Sequence, residues 1–160
     1  AAVLPLRSNI PAISEFTFRP VDSTFVQRCK DSKGGFIVGG ANYGQGSSRE
    51  HAAIAPMYLG IKAVLALDIA RIHHKNLINF GILPLTLASR RELKKINQDN
   101  TLELKDVHKI IKQGGPVQVR NVSKKTTIHC SLELSDREKQ VLLKGGLLNF
   151  MRRKVRKLQC

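Results

Sequence analysis

Apolar residues fall along this chain in two rhythms. Short, nearly continuous runs at Phe36–Val38, Ile61–Leu67 and Ile82–Leu87 predict buried strands. Between them, Ser47 to Leu59 reads as a helix that Pro56 should end or kink near Ala55. Ile69 to Phe80 reads as an amphipathic helix, with Ile69, Ile72, Asn76, Leu77 and Phe80 near helical spacing and Gly81 as its stop. Pro84 places the third strand near a sheet edge. Strands alternating with helices at this spacing predict an α/β class: a mainly parallel sheet with right-handed crossovers, flanked by helices.

The remainder is more segmented. Residues 1–14, with Pro5 and Pro11, read as extended, and residues 20–33 as a loop followed by a short helix. Leu102–Leu104 alternates as a short strand, and Val107–Gln113 reads as one or two helical turns ending at Gly114. Val117–Val119 and Thr126–Leu132 read as strands paired across a Lys124-Lys125 turn. Ser135 and Glu138 form a capping-box pattern that opens a helix to Lys144. Leu147 to Leu158 reads as a closing helix with Leu147, Met151, Val155 and Leu158 on one stripe, able to dock on the body. These pieces make a smaller C-terminal strand and helix segment. With no repeat or low-complexity linker, residues 1–160 read as one domain ending in a basic helix at about 147–158.

The chemistry concentrates in Gly39-Gly40-Ala41-Asn42-Tyr43-Gly44-Gln45-Gly46-Ser47-Ser48-Arg49-Glu50-His51, at the carboxyl end of the first strand. An open α/β sheet binds its ligand at such a switch point. The glycines allow a tight turn, Ser47 and Ser48 stand where N-caps belong, and a helix start favours carboxylate or phosphate. Arg49 adds a planar fork suited to a carboxylate. From the residues alone this is a small-anion site, set against the plainer reading of a Gly-rich turn with ordinary caps. His51 reads as a loop-orienting residue rather than a metal ligand, and His73 and His74 cannot ligate from one helix face.

The stretch Gly-Gln-Gly-Ser-Ser-Arg-Glu-His-Ala-Ala from Gly44 to Ala53, with Pro56, Leu59-Gly60 and Ala63-Val64, resembles the signature of the aconitase swivel domain. Ala70-Arg71-Ile72-His73, Asn76-Leu77, Asn79 and Gly81-Ile82-Leu83-Pro84-Leu85 continue it, as do Leu6-Arg7-Ser8-Asn9-Ile10-Pro11 and Leu134 to Glu138. The resemblance spans nearly the whole chain. It implies a swivel-type fold and a hydro-lyase acting on citrate- or isocitrate-like tricarboxylates. It further implies Ser47 as the base that removes a carbon-bound proton, Ser48 assisting substrate and base, and Arg7 and Arg49 holding substrate carboxylates. A serine serves as base only where its alkoxide is stabilised, which helix-start amides and an arginine provide. The family's 4Fe-4S cluster sits on cysteines of a separate, larger portion, so the chain is expected to need a cluster-bearing subunit or domain and to catalyse nothing alone. Leu67-Asp68-Ile69 departs from the family's usual Lys-Ser-Phe, and Ala41 replaces a usual acidic residue.

Charge opens a second reading. The net charge is +15, with 9 basic against 5 acidic residues in positions 1–80 and 18 against 7 in positions 81–160. Beyond Glu138 the chain has seven basic residues and no acidic one. Such lopsidedness fits an RNA partner, with Arg152, Arg153, Lys154, Arg156 and Lys157 of the closing helix meeting phosphates. The alternative to a hydro-lyase component is therefore the same fold reused as a basic, non-catalytic component of a ribonucleoprotein such as a mitochondrial ribosome. Cys29, Cys130 and Cys160 are odd in number and scattered, which predicts no disulfide framework, no metal site and no cofactor in this chain. No run is long enough for a membrane span. The chain starts at Ala1 without a signal-peptide pattern, so a mitochondrial matrix protein shorn of its transit peptide or a bacterial cytoplasmic protein is expected.

Overall fold

Parallel strands need crossovers, and the first half of the chain supplies two. In the computed structural model β1 (Gly35–Val38), β2 (Ile61–Ala66) and β3 (Leu83–Leu87) lie parallel, with α3 (His51–Tyr58) and α4 (Arg71–Asn79) between them. The structure describes residues 4–46 and 49–158, apart from the side chains of Leu4, Arg153, Lys154, Arg156, Lys157 and Leu158. Leu65 stands beside Val38 on one side and Leu85 on the other. Every residue of β2 except Lys62 is buried. Its successive side chains enter opposite cores, Ala63 and Leu65 on one face and Val64 and Ala66 on the other. That two-sided burial is why the strand reads as an unbroken apolar run.

The sheet has six strands in the order β1-β2-β3-β6-β5-β4. β5 (Gly115–Asn121) and β6 (Thr126–Leu132) form the expected hairpin, β6 joins β3 antiparallel at Thr86↔Ser131 and Leu87↔Cys130, and β4 (Leu102–Glu103) closes the edge on β5. The α/β class with flanking helices stands, with parallel pairing confined to β1–β3. The C-terminal strands extend the same sheet, antiparallel, rather than forming a segment apart. Their alternation explains this: Val117, Val119, Ile128, Cys130 and Leu132 are buried while the residues between face outward.

Several local expectations change. Residues 4–14 are not extended. A 3-10 turn at Leu4–Leu6 precedes α1 (Ile10–Ser14), whose N-cap Asn9 accepts from the Ala12 amide at 3.1 Å. Pro11 sits in the first turn of α1, where its missing donor has no partner to lose. Pro84 lies in the interior, between β2 and β6, but the pairing with β6 begins only at Thr86, so the proline meets one ladder alone. α3 starts at His51, not Ser47, and runs through buried Pro56 to Tyr58. In α4 the buried residues are His73, Leu77 and Ile78, while Ile72 is 54% exposed. α2 (Phe25–Asp31), α6 (Val107–Gln113) and α7 (Asp136–Leu143) fall where expected, and α7 has the full capping box. α5 (Arg90–Lys94) is an addition that the Ser89-x-x-Glu92 spacing signals.

Among the described side chains of α8 (Leu147–Leu158), Leu147 and Phe150 of its first turn pack on the core. Met151 and Val155, expected against the body, are 44% and 48% exposed. The helix meets α7 and α4. Arg152 is exposed, while the side chains of Arg153, Lys154, Arg156 and Lys157 lie outside the described ones.

Candidate functional site

The Gly-rich segment after β1 is held by continued pairing with the segment after β2. Gly39 N–H donates to Leu65 O (2.8 Å), Leu67 N–H to Gly40 O (3.1 Å), Tyr43 N–H to Asp68 O (3.1 Å) and Ala70 N–H to Tyr43 O (2.9 Å). The Asp68 carboxylate accepts from the Asn42 amide at 2.7 Å, clamping a residue whose φ is 56°. The departure from the family pattern at Asp68 thus has a structural role as an anchor of the loop. Directly afterwards α4 begins, and its His73 turns back beneath the loop. The Tyr43 ring meets His73 edge-on, with centroids 5.3 Å apart. Gly44, at φ +81°, lies so close to the imidazole that a Cβ there would overlap Cγ and Cδ2 of His73.

Arg7 reaches the same place from the other end of the chain. It precedes α1, and its carbonyl oxygen accepts from His51 Nε2 at 3.0 Å, tying the Arg7 segment to the first residue of α3. α1 packs on α3, with buried Ser14 donating to Ile10 O at 2.7 Å and lying 3.5 Å from Ala55 O. The result is a cleft of about 670 Å³ whose lining includes Arg7, Arg49, His51, Tyr43, Gly46 and His73. Its other wall is largely apolar, from Ile13, Phe16, Phe18, Ala55 and Pro56. Neither Arg7 nor Arg49 has a carboxylate partner among the described residues. Two guanidinium groups without a described carboxylate partner, beside apolar side chains, have the chemistry to hold a small carboxylate.

The structure therefore brings Arg7 and Arg49 together. Ser47 and Ser48 lie outside the described residues; their described neighbours Gly46 and Arg49 both line the cleft. The N-cap of α3 is Glu50, not a serine, and the Ala52 and Ala53 amides are already used on Arg49 O and Glu50 O. Sequence reasoning set His73 aside, with His74, as unable to ligate from one helix face, and gave Tyr43 no role. The available signal was the spacing Ile69, His73, Leu77, Phe80, which puts the imidazole on the buried side of α4.

An iron–sulfur cluster does not fit this chain's described residues. Cys29 is buried with Ile37 and Val64, Cys130 on the other face with Leu85 and Ile128, and no group of three metal-ligating side chains gathers among them. Burial raises both thiols, Cys130 to about 12, the opposite of what a metal-binding thiolate needs.

A family model for the aconitase C-terminal domain matches residues 23–90. The methanogen homoaconitase small subunit of Methanocaldococcus jannaschii is 33% identical over 157 residues, 96% of this chain and 84% of that protein. The chain belongs to the aconitase family. A 3-isopropylmalate dehydratase small subunit from Caldanaerobacter subterraneus is 34% identical, over 96% of this chain and 90% of that protein. A putative mitochondrial aconitate hydratase from Emericella nidulans is 36% identical over 120 residues, which make up 15% of its length. Among solved structures, a 3-isopropylmalate dehydratase from Methanocaldococcus jannaschii matches with a TM-score of 0.74 and 33% identity, covering 91% of this chain and 79% of that one. The chain thus has the swivel-type fold of the family's hydro-lyases. It is close in extent to their small subunits and spans only a small part of the long aconitate hydratases.

Proposed function

We propose that this chain is the swivel component of an aconitase-type hydro-lyase, working as one unit over residues 1–160 and completed by a cluster-bearing large subunit or domain. The observation that carries the reading is the convergence of Arg7 and Arg49, from distant parts of the sequence, on one cleft beside the Gly-rich loop. In this reading the two guanidinium groups hold carboxylates of a citrate-like or alkylmalate-like hydroxy acid. Ser47 takes the carbon-bound proton and Ser48 assists, the roles that resemblance to the family assigns. The 4Fe-4S cluster, bound on the partner, supplies Lewis-acid chemistry at the hydroxyl that leaves. The mitochondrial and prokaryotic relatives favour a mitochondrial matrix or bacterial cytoplasmic setting, and no described helix is long and apolar enough to cross a membrane.

The ribonucleoprotein alternative is carried by none of these relatives, whose names are those of enzymes, and the basic charge alone does not identify RNA.

Reconstitution tests the proposal. The chain is mixed with a cluster-loaded large subunit and assayed for hydration of cis-aconitate and of the isopropylmalate-type alkene. Ser47→Ala should abolish turnover, and Arg7→Gln and Arg49→Gln should raise KM at least about tenfold, as expected for loss of charge-assisted hydrogen bonds. Turnover unaffected by Ser47→Ala, or no turnover with any such partner, would overturn the proposal.

A further inference from the structure

The closing helix carries an exposed apolar strip. Leu148 is 71% exposed, and Met151 and Val155 stand open to solvent beside it. The three occupy positions i, i+3 and i+7 of α8, so they share one face. Leu147 and Phe150, by contrast, pack on the core and fix the start of the helix to the domain. Exposed apolar residues scattered singly are ordinary, but three on one face of one helix mark a contact surface.

The rest of the helix is basic. Residues 152, 153, 154, 156 and 157 are Arg, Arg, Lys, Arg and Lys, and no acidic residue follows Glu138. At 3.6 residues per turn these five positions lie off the strip, 152 on one flank of it and 154 on the other. The surface is also apart from the cleft. A Cβ added to Gly146, just before α8, would stand 2.7 Å from the carbonyl oxygen of Asn79, the last residue of α4. His73, which lines the cleft, lies in the first turn of α4, so α8 starts at the opposite end of that helix.

Charge and apolarity together select the occupant. A second copy would set one basic helix against another, and like charges brought together oppose contact. An RNA backbone answers the charges but leaves Leu148, Met151 and Val155 in water, with no aromatic side chain on the strip for bases to stack on. An anionic lipid surface answers both, phosphates taking the basic residues and the acyl boundary taking the strip. With 12 residues, about 18 Å, α8 can lie along such a surface and cannot cross a hydrocarbon core about 30 Å thick.

We propose that α8 is a peripheral membrane-docking helix, laying Leu148, Met151 and Val155 into an anionic lipid surface while its basic residues engage the lipid phosphates. The inference is independent of the hydro-lyase reading, since vesicle binding needs neither a partner subunit nor a substrate.

The test is co-sedimentation of the full chain with vesicles at low and at physiological salt. One set is phosphatidylcholine alone, the other phosphatidylcholine and phosphatidylglycerol in about equal parts. The chain should bind the anionic vesicles and not the neutral ones, more weakly as salt rises. Leu148→Ser, Met151→Ser and Val155→Ser combined should lower the affinity at least about tenfold with the charge unchanged. Replacing the five basic residues with Gln should lower it at least about a hundredfold, since each basic residue near such a surface contributes about fivefold. No binding of the unsubstituted chain to anionic vesicles overturns the proposal, whatever the variants do. Binding that the three serines leave unchanged is a charge contact alone, of the kind any polyanion such as RNA would give, and overturns it too. A dimer in solution that the three serines dissociate would assign the strip to a second copy and overturn it as well.

Discussion

Replacing Gly44 with alanine probes the seat of the Gly-rich loop on His73. Two costs act together at this position. The backbone is left-handed, at φ +81°, which for a residue with a Cβ costs about 1–2 kcal/mol. The added methyl would also overlap the imidazole and stand 2.5 Å from the His73 Cβ, an overpacking that costs about 1–3 kcal/mol where the neighbour is buried. The sum is about 2–5 kcal/mol, a large part of the 5–15 kcal/mol that separates typical folded and unfolded domains. Two other glycines separate the terms. Gly145 has a similar φ, +74°, but its nearest atom to an added Cβ is Asn149 Nδ2 at 3.6 Å, so Gly145→Ala should show the backbone cost alone. Gly40 is outside the left-handed region and has open space around it, so Gly40→Ala should be neutral or slightly stabilising. Urea unfolding followed by circular dichroism would rank them Gly40→Ala, Gly145→Ala, Gly44→Ala in order of increasing damage, with the last two about 1–3 kcal/mol apart. A Gly44→Ala chain no less stable than Gly145→Ala would refute the contact between loop and imidazole, and with it the fixed placement of His73.

Three further perturbations test other parts of the fold. Asp68→Ala removes the acceptor of the Asn42 amide; because Asp68 is exposed, global stability should fall by only about 1 kcal/mol, while hydrogen exchange at Asn42 and Tyr43 accelerates. Unchanged exchange there would remove Asp68 as the anchor. Glu92 accepts from Lys95 Nζ at 2.8 Å and from the His129 amide at 2.7 Å, and these bonds, the Lys95 one first, hold its pKa below the usual carboxylate value. A depressed pKa contributes stability above the unfolded-state value that is lost as pH falls through the folded-state value, so Glu92→Gln should cost stability at neutral pH and flatten the acid limb of urea midpoints against pH. A parallel pair of acid limbs would show the carboxylate to be uncoupled from folding. Ser135→Ala removes the hydroxyl that accepts from the Glu138 amide at 3.4 Å and donates to Glu138 Oε2 at 2.7 Å, and should cost about 1 kcal/mol by denaturant midpoint. A loss below about 0.3 kcal/mol would mean that α7 is held by packing without help from its cap.

The sequence by itself determined the elements whose signals are local. The β2 run, the β5–β6 alternation, the Ser135–Glu138 box and the Val107–Gln113 helix before Gly114 stand where their patterns put them, because burial on one face or two writes its period directly into the chain. The Gly-rich turn and its arginine were legible for the same reason, as a motif dense in special residues. What tertiary structure alone decided is which residues meet. Pro11 and Pro84 were misplaced because the cost of a proline depends on whether its missing donor would have had a partner, which is set by position in a turn or by a neighbouring strand's reach. Met151 and Val155 are apolar at helical spacing yet exposed, because amphipathicity states a preference for cover and cannot supply a surface to provide it. Arg7 and Arg49 share a cleft only because α1 packs back on α3 and His51 ties down the Arg7 carbonyl. His73 looked like an ordinary helical histidine until the fold laid Gly44 over its ring, since no periodicity distinguishes a buried imidazole that has partners from one that has none.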